Sequence, residues 1–190
     1  MNIAQFREYD VSDGPGVRVG LYVSGCEFKC KGCHNEEAWS FDYGEKYNVL
    51  FEAKVMNALY SNFVCGLSIL GGEPLHERNI DDVLSLCRLV RMKFHHDKSI
   101  WLWTGYTAEE LIEMFKEYDK KPSLLVDDYT KKLHEMMYLC DVIIDGRWIE
   151  SKKNLKLKYR GSSNQRVIVS RDLIDGKITV LNVDDKEVKA

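Results

Sequence analysis

Apolar residues along this chain fall into short runs separated by stretches in which they recur at helical spacing. Val17–Val23 is the first run and reads as a strand, entered through the turn formers Asp13-Gly14-Pro15-Gly16. From 45 to 60, Val49, Leu50, Val55, Met56 and Leu59 approximate one face of a helix. A second strand over 65–70 ends in Gly71-Gly72-Glu73-Pro74. Ile80, Val83, Leu84, Leu86, Cys87 and Val90 then predict a helix, with Asp81 and Asp82 suited to the positive end of its dipole. The third strand, Ser99–Trp103, ends in Thr104-Gly105-Tyr106. Thr107-Ala108-Glu109-Glu110 is a capping-box pattern and starts a helix through Leu111, Ile112, Met114 and Phe115. A short helix is predicted over 131–139, while 123–126 carries no clear pattern. Residues 142–144 form a compact strand ending in Asp145-Gly146-Arg147, and 167–169 form another. After the turn Asp175-Gly176, residues 177–181 predict an edge or hairpin strand.

Strands alternating with amphipathic helices imply βα units and a mainly parallel α/β sheet. In such folds the active site lies at the carboxyl ends of the strands. Four loops of unusual composition fall there: the one after Val23, Gly71-Gly72-Glu73-Pro74, Thr104-Gly105, and Asp145-Gly146-Arg147. Their coincidence is the main argument for a single site. Ser162-Ser163-Asn164-Gln165-Arg166 precedes its strand, which puts it at the opposite end and suggests loop hydrogen bonding instead. Trp101 and Trp103 alternate with Ile100 and Leu102, as in a strand buried on both faces. His95-His96 reads as a solvated helix end.

Composition narrows the classes. The chain has 190 residues, 45% hydrophobic and 30% charged, enough for one buried core, and no linker divides it. One domain over 1–190 is expected, with 171–190 a C-terminal hairpin or tail in which Asp184-Asp185-Lys186-Glu187 is exposed. A net charge of −3 argues against a nucleic-acid surface or a polybasic membrane anchor. No run of about 18 apolar residues predicts a membrane span. With 6 cysteines and no apolar leader, the expected compartment is the reducing cytoplasm, where grouped thiols more often bind metals than pair.

Half of those cysteines lie in Gly25-Cys26-Glu27-Phe28-Lys29-Cys30-Lys31-Gly32-Cys33-His34-Asn35. Thiolates are natural ligands of iron–sulfur clusters, and this spacing lets three sulfurs converge on one face of a cube. No fourth cysteine is near. Cys65, Cys87 and Cys140 sit in strand or helix contexts and read as core thiols. Three ligands leave one iron an open coordination site, as catalytic metals keep. A structural zinc site from the three cysteines and His34 stays formally available, although adjacent ligands such as Cys33 and His34 rarely serve one ion well.

Cys26-x-x-x-Cys30-x-x-Cys33 resembles the defining motif of the radical S-adenosylmethionine superfamily, and Gly71-Gly72-Glu73-Pro74 resembles its second motif. Two glycines there would let the backbone approach the methionine amino group closely. Many members carry an aromatic residue before the third cysteine. Gly32 stands there instead, and this context is similar to the activating enzymes of anaerobic ribonucleotide reductases. Further matches are Asp13-Gly14-Pro15-Gly16-Val17-Arg18, Trp103-Thr104-Gly105-Tyr106, Asp141-Val142-Ile143-Ile144-Asp145-Gly146 and 160–167. Residues 116–135 are longer and more charged than the family pattern, and no family property is carried onto them.

The resemblance implies an incomplete TIM-like (β/α) barrel with about five or six parallel strands, open enough for a large protein substrate. It implies a 4Fe–4S cluster on Cys26, Cys30 and Cys33, and S-adenosyl-L-methionine held by Gly32, Cys33, His34, Gly71, Gly72, Glu73, Thr104, Asp145 and Arg147. Asp13-Gly14-Pro15-Gly16 would form a wall, with Arg18 structural. The implied partners are a large glycyl radical protein, the anaerobic ribonucleotide reductase, and a flavodoxin-like electron donor. The rival readings are an activase of pyruvate formate-lyase type, a small deazaguanine-pathway synthase, and a non-catalytic iron–sulfur or zinc protein.

Overall fold

Four predicted strands line up in parallel as β2 (Val17–Val23), β4 (Val64–Gly71), β5 (Ser99–Trp103) and β6 (Val142–Asp145) in a computed structural model describing residues 1–120 and 122–184. Antiparallel strands extend both sides of this block. β1 (Asn2–Asp10) pairs with β2 and carries the two-residue β3 (Glu45–Lys46), and β7 (Arg166–Val169) pairs with β6. The sheet order is β3-β1-β2-β4-β5-β6-β7 and the two ends do not meet. The α/β partial barrel is therefore as expected, but with four parallel strands rather than five or six. β7 turns back: the 20 residues between it and β6 hold only the 3-10 turn Glu150–Lys152 and no α-helix to carry a parallel crossover.

Among the described residues, the four α-helices bury their apolar stripes on one face of the sheet. They are α1 (Val49–Leu59), α2 (Ile80–Phe94), α3 (Ala108–Lys120) and α4 (Asp128–Leu139). Val19, Leu21, Leu67, Ile69, Ile100, Leu102 and Ile143 meet them there. The alternate residues face the other way, where Trp101, Val142, Ile144, Val167 and Val183 form a smaller core. That second face is only partly covered, which leaves room above it.

Local chemistry sets the helix starts. Asn48 accepts from the amides of Leu50 and Phe51, and Asp127 accepts from Thr130 N. The capping box before α3 is formed: Thr107 N donates to Glu110 Oε2 at 2.8 Å and Glu110 N to Thr107 Oγ at 3.2 Å. No helix among the described residues is long and apolar enough to cross a membrane.

Arg18 is a bolt through the inner face. It is 0% exposed, and its guanidinium donates to Ser68 Oγ (2.7 Å), Ser99 Oγ (2.8 Å), Leu67 O (2.8 Å) and Ser99 O (2.9 Å). Burial without a carboxylate partner brings its pKa down to about 10. It ties β2, β4 and β5 together at their amino ends. Gly14 closes over it, since a Cβ there would lie 2.7 Å from Arg18 Cδ.

Two expectations need correction. Residues 177–181 do not form a strand: they meet β7 through a single bridge, Ile168 with Val180, flanked by Val169 N→Thr179 O and Leu181 N→Val167 O. Asp184 is not a free tail residue, because it accepts from Lys158 N and pairs with Arg160; residues 185–190 lie outside the described residues.

Candidate metal centre and cofactor site

The loops after β2, β4, β5 and β6 converge on one cavity of about 640 Å³ above the open face of the sheet. Cys26, Cys30, Cys33 and His34 line it from the first loop, Gly71, Gly72 and Glu73 from the second, Thr104 and Gly105 from the third, and Gly146, Arg147 and Trp148 from the fourth.

The cysteine loop is pinned at its start. Gly25 N donates to Ala38 O at 2.7 Å and Cys26 N to Trp39 O at 3.1 Å. Beyond that it turns through Lys29 at φ 45° and Gly32 at φ 74°. The left-handed conformation at Gly32 suits glycine, and a Cβ there would lie 1.4 Å from Glu150 Oε2. Glu150, in the loop after β6, lays its exposed carboxylate over Gly32.

All three thiols are free and half-buried. Burial pushes Cys26 up to about 11 and raises Cys30. Both are protonated in the metal-free protein, so taking up iron would release protons. The donor set fits a 4Fe–4S cluster: three soft ligands share one cavity, and Cys65, Cys87 and Cys140 are all absent from its walls. The zinc alternative finds less support, because the His34 ring packs edge-on against Trp148 at 4.4 Å. Among the described residues no three His, Cys, Asp or Glu side chains, the three cysteines included, are gathered for one ion, so the preference for a cluster over zinc rests on the donor chemistry and on the packing of His34.

The Gly-Gly-Glu-Pro turn lies directly against the cysteine loop. Gly72 N donates to Val23 O (2.7 Å) and Glu73 N to Gly25 O (2.8 Å). A Cβ on Gly72 would fall 2.6 Å from Gly25 O and 3.0 Å from Gly25 C and N, all backbone atoms that cannot swing aside. Gly72→Ala should therefore push the turn and the loop apart. We expect it to cost about 1–3 kcal/mol of stability, as overpacking does, and urea denaturation of the metal-free protein would check this.

Glu73 is 2% exposed and accepts from Leu75 N (2.9 Å), Thr104 Oγ (2.8 Å) and Gly105 N (2.7 Å). Burial outweighs these donors and raises its pKa from 4.5 to about 7. The folded protein thus holds this proton to higher pH than the unfolded chain. The group's stabilising contribution is complete below about pH 4.5 and is lost as the pH rises through about 7. Urea midpoints of the metal-free protein should fall across that window, and Glu73→Gln should flatten the slope.

The other expected cofactor residues divide. Thr104 lines the cavity, but its hydroxyl is committed to Glu73. Arg147 lines it too, pairing with Glu110 Oε1 through both terminal nitrogens (3.0 and 3.1 Å) and lying 4.4 Å over the Phe28 ring. Asp145 does not. It is 1% exposed and stands behind the wall, accepting from Ala108 N, from Arg166 N and from the Arg166 guanidinium. Its carboxylate fastens β6 to α3 and β7, so it is not available to a ribose.

Gln165 does reach the cavity, against the expectation that its segment lies at the far end. Because β7 is antiparallel, the residues before it return to the carboxyl ends of the parallel strands. The expected loop hydrogen bonding is there: Gln165 accepts from the amides of Gly161 and Ser162, and it donates to Gly146 O at 3.0 Å. Asn164 donates to Arg147 O at 2.8 Å. Arg7, Asp13, Tyr22 and Arg160 extend the cavity over the inner face. Of these Asp13 has a sequence signal in its turn motif and Arg160 in the matching segment 160–167, whereas Arg7 and Tyr22 have none. Tyr22 donates to the Asp13 carboxylate.

The chain matches the family described as "4Fe-4S single cluster domain" over residues 12–168. It is 39% identical over 167 residues to the anaerobic ribonucleoside-triphosphate reductase-activating protein of Vibrio cholerae, covering 87% of this chain and 96% of that one. The proteins of that description from Escherichia coli K12 and enterobacteria phage T4 are 34% and 33% identical, covering 88% and 90% of this chain and 97% and 96% of theirs. Three free thiols in one cavity, a glycine turn pressed against their loop, and likeness along nearly the whole length agree: the chain belongs to the 4Fe–4S single-cluster family and, within it, to the reductase-activating proteins.

Proposed function

We propose that the chain is a radical S-adenosylmethionine enzyme that activates anaerobic ribonucleotide reductase by placing a glycyl radical on it. The observation that carries this is the convergence of the cysteine loop and the Gly-Gly-Glu-Pro turn on one cavity. Cys26, Cys30 and Cys33 would hold a 4Fe–4S cluster, leaving one iron for the cofactor. Gly71, Gly72 and Glu73 line the methionine end, with the amides of Gly72 and Glu73 already given to Val23 O and Gly25 O. Arg147 supplies a cation across the cavity, and Gly32, His34 and Thr104 form its remaining walls. Held there, cluster and cofactor would supply one-electron reductive cleavage of the sulfonium, the electron coming from the external donor, and with it the hydrogen abstraction that leaves a glycyl radical on the reductase.

This chain's residues do the rest. Phe28 and Trp148 add aromatic rings to the cavity wall, while Glu73, fixed by three donors, keeps the turn from relaxing. The sheet is not closed, which suits a site that admits a loop of a large protein. The electron donor is a flavodoxin-like protein and the compartment is the cytoplasm. Mixing the reconstituted, reduced protein with S-adenosylmethionine and anaerobic ribonucleotide reductase should give the doublet electron-spin signal of a glycyl radical on the reductase. A signal on pyruvate formate-lyase and none on the reductase would overturn the assignment.

A further inference from the structure

Asn79 stands at the N-cap of α2, where an asparagine ordinarily accepts hydrogen bonds from the first turn of its helix. It makes no such bond. Its side chain is instead turned away from the helix and buried at 1% exposure. The Nδ2 group donates to Ser24 O at 2.9 Å, to Glu73 O at 3.0 Å and, more weakly, to Gly25 O at 3.4 Å. Two of these carbonyls lead into Cys26 and the third belongs to the Gly-Gly-Glu-Pro turn. The amide can face only one way, since flipping it would set an oxygen against three oxygens. Oδ1, on the opposite side, has no partner, and neither does the buried Ser24 hydroxyl. A helix cap has been given up, and a buried acceptor left unsatisfied, to join two turns about 50 residues apart in sequence.

We infer that Asn79 is a positioning residue that sets the distance between the cluster-bearing loop and the cofactor-bearing turn. It touches neither ligand. It acts through Gly25 and Glu73, whose own backbone contact, Glu73 N to Gly25 O at 2.8 Å, it flanks. The inference rests on the proposed function, because it assigns the two turns to cluster and cofactor. A donor shared among three carbonyls resists shear between the turns in a way that one backbone hydrogen bond does not.

The test is Asn79→Ser. Serine is as good an N-cap as asparagine, so α2 is kept or improved, but its short hydroxyl cannot span both turns. Iron content and the electron-spin spectrum of the reduced cluster without cofactor should match the unaltered protein. The spectral change on adding S-adenosylmethionine should need about tenfold more cofactor, the scale on which outer-shell partners act. Leu86→Ala, in the buried stripe of the same helix, is the control for lost stability alone. It should lower the melting temperature and leave cofactor affinity unchanged. An Asn79→Ser protein with unaltered affinity overturns the inference, as does an equal loss of affinity in Leu86→Ala. No spectral change in the unaltered protein would remove the proposed function itself, and this inference with it.

Discussion

Cys30→Ala protein is expected to emerge from anaerobic reconstitution without a stable cluster and without detectable cleavage of S-adenosylmethionine. Three thiolates are the fewest that hold a cube and leave one iron open, and Cys30 is the middle ligand of the three. No substitute is at hand, because Cys65, Cys87 and Cys140 do not line the cavity. Cys87→Ala supplies the contrast. That thiol lies in the helix-side core against Cys140, so its loss should cost about 1 kcal/mol of stability and leave cluster and cleavage intact. Iron and sulfide analysis with a chromatographic assay for 5′-deoxyadenosine separates the two cases. Normal cleavage by Cys30→Ala protein would refute the ligand assignment.

Arg18→Met should be the most destabilising single change on the inner face. Methionine fills much of the same volume but donates nothing. The substitution orphans Leu67 O and Ser99 O of this donor and takes it from the Ser68 and Ser99 hydroxyls, which keep their own bonds to Asp13 O and Cys65 O, and it releases the turn that closes over Arg18 at Gly14. Removing a buried cation returns part of that loss. With each orphaned group costing about 1–3 kcal/mol, a net loss of about 3 kcal/mol is expected, a large share of a domain's usual stability. Urea denaturation of the metal-free protein measures it. A midpoint unchanged from the unaltered chain would show that the four hydrogen bonds contribute no net stability.

Much of this was legible in the chain because burial on both faces leaves continuous apolar runs. Val17–Val23 and Ser99–Trp103 were predicted with the bounds they have, since their alternate residues feed two separate cores. β1 left no such trace. Register shifts between Ile3 and Gln5 and between Arg7 and Asp10 break its alternation, and much of it is open to solvent. The direction of β7 was equally hidden, because an apolar triplet does not say which way its strand runs. That one unknown misplaced Gln165.

At the site, the cysteines and the glycines were readable by type and spacing, whereas partners were not. Asp145 looked like a ligand because it ends a strand, and only the guanidinium of Arg166, 21 residues on, shows that its oxygens are taken. Asn79 reads as a cap in any sequence window, and its true acceptors lie up to 55 residues away. Glu150 carries no signal at all, yet its carboxylate fills the space beside Gly32. Such relations are set by tertiary packing, which local pattern does not encode.

The central claim is that the cavity at Cys26, Cys30 and Cys33 holds a cluster that cleaves S-adenosylmethionine. Its most direct test is to purify the protein without oxygen, reconstitute it with iron and sulfide, add dithionite and S-adenosylmethionine, and assay for 5′-deoxyadenosine. The account predicts a brown protein that forms 5′-deoxyadenosine and methionine in equal amounts. A colourless protein that carries zinc and forms neither would contradict it.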